Sequence, residues 1–218
     1  MAPGHRRHEE PGETMLNREP LTADDRLRVL RIAQALAPID EPNFAALWPA
    51  MRAVTLAPRQ ALLAVGDAPP TECFVLEGIL RSWIGDAQGR TVTLDFHTGP
   101  GVLTPAVARS KAGRSRIHCE ALSAARVVVF AADALSAQMI AQPAMARWGD
   151  AVLTQELVRR MDRELALATQ PARERLAALL AEQPGLPDVV AQHHLASYLG
   201  ITPVSLSRLR AQARQRAD

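Results

Sequence analysis

Aromatic residues and cysteine are scarce in this chain of 218 residues. Aromatic residues make up 4% of it, and two cysteines are present, Cys73 and Cys119. Both lie in apolar, strand-like runs without a CxxC spacing, so we expect small buried residues and no cysteine-ligated iron–sulfur cluster. No run of 18 apolar residues occurs, which excludes a typical membrane-spanning helix. The N-terminus also lacks the apolar stretch of a secretory signal, so we expect a cytoplasmic protein.

Strong net charge is absent as well, while apolar residues are plentiful. Hydrophobic residues make up 48% of the chain and charged residues 22%, a balance typical of a globular protein with a core. The formal net charge of +2 does not by itself indicate a nucleic-acid partner, so the position of the charges matters. His97 and His118 have no carboxylate or thiolate at ligand spacing, and His193 and His194 are adjacent in sequence, so we expect no metal site and no cofactor.

The first part of the chain changes character near residue 22. Residues 1–21 contain three prolines and no apolar periodicity, which predicts a mobile extension. Thr22, followed by Asp24 and Asp25, supplies the cap and acidic first turn of a helix that Pro38 stops. A second short helix is predicted over residues 41–51, with Phe44, Leu47 and Trp48 on its inner face.

The middle of the chain has the pattern of a β protein. Short apolar runs alternate with glycine-containing turns, which predicts a small antiparallel barrel or roll. Thr91, Thr93 and Asp95 alternate with apolar neighbours, which predicts a strand with one solvated face. The predicted strands cover residues 61–65, 73–76, 79–84, 91–96, 117–122 and 126–130.

A long amphipathic helix is predicted over about residues 145–168. Its apolar residues recur at spacings of three to five, and its opposite face is charged. The apolar stripe either packs on the chain's own roll or pairs with a second copy, and we favour the homodimer because the roll has little second surface to cover it. The predicted dimer-interface residues are Trp148, Val152, Leu153, Leu157, Met161 and Leu165. Another helix is predicted over residues 172–181.

Residues 192–209 predict a helix-turn-helix. Leu195 and Leu199 share one helical face, and Gly200 ends the first helix. Thr202 can cap the second helix, and Pro203 takes its first position. Two short helices joined by a tight glycine-containing turn are typical of this DNA-binding motif, although an ordinary helical hairpin remains an alternative.

The second helix of this motif carries the candidate DNA-binding residues. An arginine can bind guanine O6 and N7, and hydroxyls suit phosphates or bases. Residues 201–218 contain four arginines and one aspartate, a local net charge of +3. Arg214 and Arg216 are candidates for phosphate contacts or for a solvated tail. The predicted DNA-binding residues are Thr202, Ser205, Ser207, Arg208 and Arg210.

The segment LASYLGITPVSLSRLR, residues 195–210, resembles the DNA-binding helices of the Crp/Fnr family of bacterial transcription regulators. Residues 64–101 resemble the family's β-roll. The resemblance implies a cyclic-nucleotide-binding-like sensor, a helix-mediated dimer and a winged helix-turn-helix. Two departures are visible. Val204 stands where typical members have a glutamate that accepts from cytosine N4, and only nine residues follow Leu209, too few for a β-hairpin wing.

The loops that would bind an effector depart from the pattern of the family members that bind cyclic AMP. Members that bind it use a Gly-Glu pair and then an Arg-Ser or Arg-Thr pair, whereas residues 99–104 here contain no glutamate. Arg114, Ser115 and Arg116 are weak effector-binding candidates, because Arg114 lies about one residue out of register. A solvated basic loop over residues 109–116 is the alternative that we favour.

Together these patterns predict an α+β chain with four parts. They are an extension (1–21), a cupin-like, double-stranded antiparallel β-roll sensor domain with N-terminal helices (22–137), a dimerisation helix (138–169) and a helix-turn-helix domain (170–218). The predicted function is sequence-specific binding of double-stranded DNA as a homodimer that regulates transcription, with an unknown effector and RNA polymerase as a candidate partner. The alternative is a ligand-sensing or protein-interaction module without DNA binding. An enzyme is disfavoured because no P-loop or nucleophile elbow occurs.

Overall fold

The computed structural model of the chain describes residues 16–68, 71–85, 88–103 and 113–214, with side chains as far as residue 212. Its strands are β1 (Arg18–Glu19), β2 (Arg52–Leu56), β3 (Ala61–Leu63), β4 (Thr71–Glu77), β5 (Ile79–Gly85), β6 (Thr91–Thr98), β7 (Gly101–Leu103), β8 (His118–Ala121) and β9 (Ala125–Ala131). Its helices are α1 (Ala23–Leu36), α2 (Glu41–Ala45), α3 (Ala132–Ala141), α4 (Pro143–Thr169), α5 (Ala172–Glu182), α6 (Leu186–Val189), α7 (Gln192–Tyr198) and α8 (Pro203–Arg214), with a short 3-10 helix over Trp48–Ala50.

The strands form a roll of two antiparallel sheets. One sheet has the order β1-β2-β9-β4-β7, and the other has the order β3-β8-β5-β6. Apolar side chains from both sheets meet between them, among them Val54, Leu80 and Val127. This arrangement is the predicted β-roll, and the fold class is confirmed as α+β.

Strand β4 is buried on both faces, which explains its unbroken apolar sequence. Cys73 and Val75 point into the roll. Phe74 and Leu76 point to the opposite side, where they join the core beneath the helices. A strand covered on both faces needs no alternation of apolar and polar residues. The sequence of β4 therefore does not show which of its residues face the inside of the roll and which face the helices.

A cluster of aromatic side chains joins the roll to the helices. The ring of Phe44 meets those of Phe74 and Trp148 edge-to-face, at centroid distances of 6.0 and 5.5 Å. The indole N–H of Trp148 donates a 2.8 Å hydrogen bond to the carbonyl of Ala33. The start of α4 therefore belongs to the core of its own chain.

Helix α1 begins as predicted and is tied to the roll. Thr22 and Asp25 form a capping box, in which each side chain accepts a hydrogen bond from the other residue's backbone N–H. The Asp25 carboxylate also forms a bidentate pair with Arg126, with both distances at 2.7 Å. The hydrogen bonds from Arg126 hold the pKa of Asp25 well below its ordinary value.

Several predicted boundaries are wrong. Residues 18 and 19 are not part of a mobile extension, because they pair with β2 as strand β1. The helix predicted over residues 41–51 is divided into α2 and the 3-10 helix. Strands β2 and β7 were not predicted. Strand β2 begins directly after the predicted helical segment, and β7 is only three residues long and directly follows Gly99 and Pro100. The dimerisation helix predicted over residues 138–169 is also interrupted, since α3 ends at Ala141 and α4 begins at Pro143.

Strand β6 does not have the solvated face that its alternation predicts. Thr93 and Asp95 are buried, whereas Val92 is exposed. A register shift opposite Ser82 and Trp83 interrupts the alternation. Helices from the C-terminal part of the chain then cover the strand, so its polar residues pair with other parts of the protein rather than with water. Among the described helices, none combines the length and apolarity needed to cross a bilayer.

Candidate nucleic-acid interface

The predicted helix-turn-helix is present as α7 and α8. Leu195, Ala196, Leu199 and Leu206 are buried between the two helices and α5. Gly200 has a φ of +67°, the left-handed conformation that glycine adopts most easily after a helix. The sequence prediction of this motif is confirmed in its helices and its turn.

Thr202 caps α8 as predicted. Its hydroxyl accepts a 3.1 Å hydrogen bond from the backbone N–H of Ser205. The hydroxyls of Thr202 and Ser205 also lie 3.0 Å apart and share a hydrogen bond. These contacts order the start of α8, and each hydroxyl keeps a donor or an acceptor for a further partner.

The outer face of α8 carries side chains that are not used by the fold. Val204 is 60% exposed, Ser207 and Arg208 are exposed, and Arg210 is half-buried. Within the described part of the chain, neither Arg208 nor Arg210 forms an ion pair with an acidic side chain. The side chain of Arg214 and the whole of Arg216 lie outside the described residues. The structure thus gathers one apolar, one hydroxyl and one cationic group on the face of the helix opposite Leu206.

Two arginines that the sequence analysis missed hold the end of α7. Arg175 donates to the carbonyl of Leu199 from Nε at 3.1 Å and from Nη2 at 2.8 Å, and it also donates to the carbonyl of Gln170. Arg163 donates to the carbonyl of Tyr198 at 2.8 Å, and its guanidinium lies 3.7 Å from the centre of the Tyr198 ring. These hydrogen bonds satisfy carbonyl groups at the C-terminal end of α7 that have no partner within the helix. The negative end of the helix dipole also favours positive charges at this position. No local sequence signal distinguishes these arginines from solvated ones.

Helix α7 lies against strand β6 of the roll. The Ser197 hydroxyl accepts a 2.9 Å hydrogen bond from the backbone N–H of Thr93 and donates one of 3.2 Å to the carbonyl of Thr91. Since β6 is an edge strand, these bonds occupy backbone groups that would otherwise lack a strand partner. The helix-turn-helix is therefore in direct contact with the roll.

A buried arginine supports the same contact. Arg81 forms an ion pair with Glu120 at 2.9 Å and donates to the hydroxyl of Thr93 at 2.9 Å. Its Nη1 atom also lies 3.4 Å from Nε2 of His194 in α7. Burial, the positive charge of Arg81 and neighbouring His193 lower the pKa of His194 to about 4. The imidazole is therefore neutral at pH 7.

The apolar stripe predicted on α4 is divided by the structure. Trp148 and Val152 are buried in the chain's own core, so their assignment to a dimer interface is corrected. The remaining four members are exposed on the later turns of α4, and two further apolar residues are exposed beside them. These six residues, which we call the α4 stripe, are Leu153, Leu157, Val158, Met161, Leu165 and Leu167.

The three effector candidates do not form one site. Arg114 is exposed and donates to the carbonyl of Gly66 at 2.8 Å. Ser115 is buried and bonds to the backbone of Ile117, while Arg116 is exposed. Residues 104–112, which include Arg109 and Lys111 of the predicted basic loop, lie outside the described residues.

Comparisons with known proteins identify the fold. No family model matches the chain, and no curated protein matches its sequence. Solved structures with this fold include FixK2 from Bradyrhizobium japonicum, at 21% identity and a TM-score of 0.66, with 77% of this chain and 86% of that one covered. The c-di-GMP-responsive global regulator CLP from Xanthomonas campestris has 13% identity and a TM-score of 0.64, with 82% and 93% covered. A Crp/Fnr family transcriptional regulator from Eubacterium rectale has 14% identity and a TM-score of 0.64, with 84% and 88% covered. At these identities the comparison shows a shared fold. It confirms that the fold of this chain resembles that of the Crp/Fnr regulators, as the sequence predicted.

Proposed function

We propose that this chain, which has the fold of the Crp/Fnr transcription regulators, is itself a regulator that binds specific double-stranded DNA as a homodimer. The observation that carries the proposal is the outer face of α8. Val204, Ser207 and Arg208 lie exposed there, on a helix whose other face is locked into the chain by Leu206. In helix-turn-helix proteins this second helix enters the major groove.

The chemistry of this face suits a DNA groove. Arg208 has five N–H donors, and a guanidinium can bind O6 and N7 of one guanine. Ser207 can bond to a phosphate or a base edge, and Val204 can contact the C5-methyl group of thymine. Arg210 and the cap hydroxyl of Thr202 are suited to phosphates, which position the helix without distinguishing sequences.

The α4 stripe supports a homodimer. Six apolar side chains on α4 remain exposed in a single chain, while Met145, Trp148 and Val152 in the first turns of that helix are buried and anchor it to the roll. A second copy that buries the stripe against itself would form a two-fold symmetric contact. Such a dimer presents two α8 helices, and it would recognise two half-sites about 34 Å apart, one helical turn of DNA.

The test is selection of bound fragments from the source genome or from a random duplex library. We expect enrichment of a pseudo-palindromic sequence, with a specific affinity that exceeds binding to random DNA by roughly 10³-fold or more at physiological salt. Equal affinity for all duplexes would show a non-specific binder. Absence of salt-dependent binding would instead favour the alternative of a sensing or protein-interaction module. Contact with RNA polymerase stays a prediction.

A further inference from the structure

An apolar cavity lies between the roll and the bend that joins α3 to α4. Its volume is about 370 Å³, which is within the range of ligand pockets in proteins. Strands β4 and β7 form one wall, and the two helices form the other. Its lining includes Phe74, Phe130, Leu135, Met139, Trp148 and Leu153.

The wall of the cavity excludes some classes of ligand. Three aromatic rings and several aliphatic side chains line it. The Ser136 hydroxyl in the wall already donates to the carbonyl of Ala132 at 3.0 Å. Among the described lining residues no arginine, lysine or histidine is present, and the one charged residue is Glu72. An anion such as a nucleotide would therefore lose its hydration without gaining a cation, which is costly.

We propose that this cavity binds a small uncharged hydrophobic molecule, with an alkyl chain or a ring of a size that fits about 370 Å³. Burial of apolar ligand surface supplies the affinity. The inference does not depend on DNA binding, and it concerns a different place from the space beneath the later turns of α4, where Asp95, His97 and Arg159 lie.

The cavity is placed where its contents can affect α4. At Gly149, an added Cβ would come within 2.6 Å of the Met139 side chain, so α3 and α4 approach closely at this point. Met139 is also a wall of the cavity, and it is unbranched and adaptable. Leu153 lines the cavity and is at the same time the first member of the α4 stripe. A bound molecule would therefore contact the same helix that carries the proposed dimer surface.

The experiment compares octan-1-ol with octanoate on the full chain at pH 8, because the two differ in charge at one end. Calorimetric titration is expected to show one octanol per chain, with octanoate weaker by about tenfold or more. With the methionine methyl groups labelled with ¹³C, the NMR signal of Met139 should shift on titration, while that of Met51, which is buried but does not line the cavity, should shift much less. Ser136→Leu places a larger side chain in the cavity and should abolish binding. Ile140→Ala, which removes an exposed apolar side chain beside the cavity, should leave binding unchanged.

The proposal is overturned if octanol does not bind, if octanoate binds equally well, or if the Met139 signal does not move while binding is measured. Loss of binding in Ile140→Ala would place the molecule on the surface of α3 instead. Because the NMR measurement uses the unmodified sequence, it decides the question even where Ser136→Leu unfolds the protein.

Discussion

The arginines of this chain differ in role only through what each of them faces. Arg126 caps the start of α1 through Asp25, and Arg175 and Arg163 hold the end of α7. Arg208 has no acidic partner among the described residues. Since the sequence next to an arginine does not show which groups the side chain will face, composition predicted a basic C-terminal segment but could not separate structural arginines from those available to DNA. For Arg208 alone, its position in the predicted helix-turn-helix indicated that the side chain is available to DNA.

Replacing Arg208 tests whether α8 recognises bases. We expect Arg208→Ala to remove discrimination at one base pair per half-site, at a cost of roughly 1 to 3 kcal/mol per contact. Arg210→Ala is the matched control, which should lower affinity for all duplexes alike and reduce the salt dependence by about one counterion. The measurement is binding to selected and random duplexes at several salt concentrations. If Arg208→Ala weakens both duplexes equally, Arg208 contacts a phosphate, and specificity lies with other residues or with DNA shape.

Val204 gives a second test, because it is an exposed apolar residue at the start of α8. We expect it to contact the methyl group of a thymine, so replacing that thymine by uracil in the selected duplex should weaken binding by about 1 kcal/mol. Val204→Ala should make thymine and uracil duplexes nearly equal. Val204→Glu should shift the preference towards cytosine, whose N4 amino group donates to a carboxylate. A uracil scan of the half-site without any effect would contradict the contact.

The effector prediction also concerns individual residues. Arg114 points to the carbonyl of Gly66, Ser115 is bonded within its own turn, and the space beneath α4 is a cavity of about 150 Å³ that contains the Asp95–Arg159 ion pair. This volume is below the roughly 300 Å³ at which ligand pockets usually begin. We therefore expect cyclic AMP to bind weakly or not at all. A saturable isotherm at micromolar concentration in calorimetry would show that this region rearranges to accept it.

The elements show where a pattern in the sequence is sufficient and where it is not. The capping box of α1 and the turn of the helix-turn-helix are local, and both were predicted correctly. The stripe on α4 is one continuous periodic pattern, yet its first part faces the chain's own core and its later part is exposed. Periodicity shows which side of a helix is apolar but not what covers it. In the same way, the alternation in β6 predicted a solvated polar face, because it could not show that α7 covers this strand.

The α4 stripe leads to a prediction about assembly. Leu157→Glu places a charge in the proposed apolar seam, where its desolvation is costly, and should shift the protein from dimer to monomer. Leu27→Glu is the matched control, since Leu27 is a similarly exposed leucine on α1, away from the stripe. Sedimentation at micromolar concentration measures both. A monomeric wild-type protein, or equal dissociation by both variants, would remove the assignment of the stripe to a dimer.

At the scale of the whole molecule, polar contacts join the roll to the helix-turn-helix and to α4. Ser197 bonds to the backbone of β6, and Arg159 pairs with Asp95 on the same strand. Burial tends to raise the pKa of Asp95, but nearby positive charge and the hydrogen bonds from Arg159 and from the backbone N–H of Phe96 outweigh it and lower that pKa. Partners that lie more than 60 residues apart in sequence give no local signal, and so this contact could not be predicted.

This contact should weaken in mild acid. Burial lowers the pKa of His97, and burial together with Arg81 lowers that of His194 to about 4, so both histidines bind a proton less readily in the folded protein than in the unfolded chain. In the unfolded chain they take up protons below about pH 6.5. The free energy of unfolding should therefore be constant above pH 7 and fall between pH 6.5 and 5, by at most about 1.4 kcal/mol per pH unit for each histidine. His194→Gln keeps a polar side chain beside Arg81 but cannot titrate, and it should reduce this slope, which urea unfolding at several pH values measures. A slope unchanged by the substitution would mean that His194 is solvated and free to protonate, and that α7 is not held against Arg81.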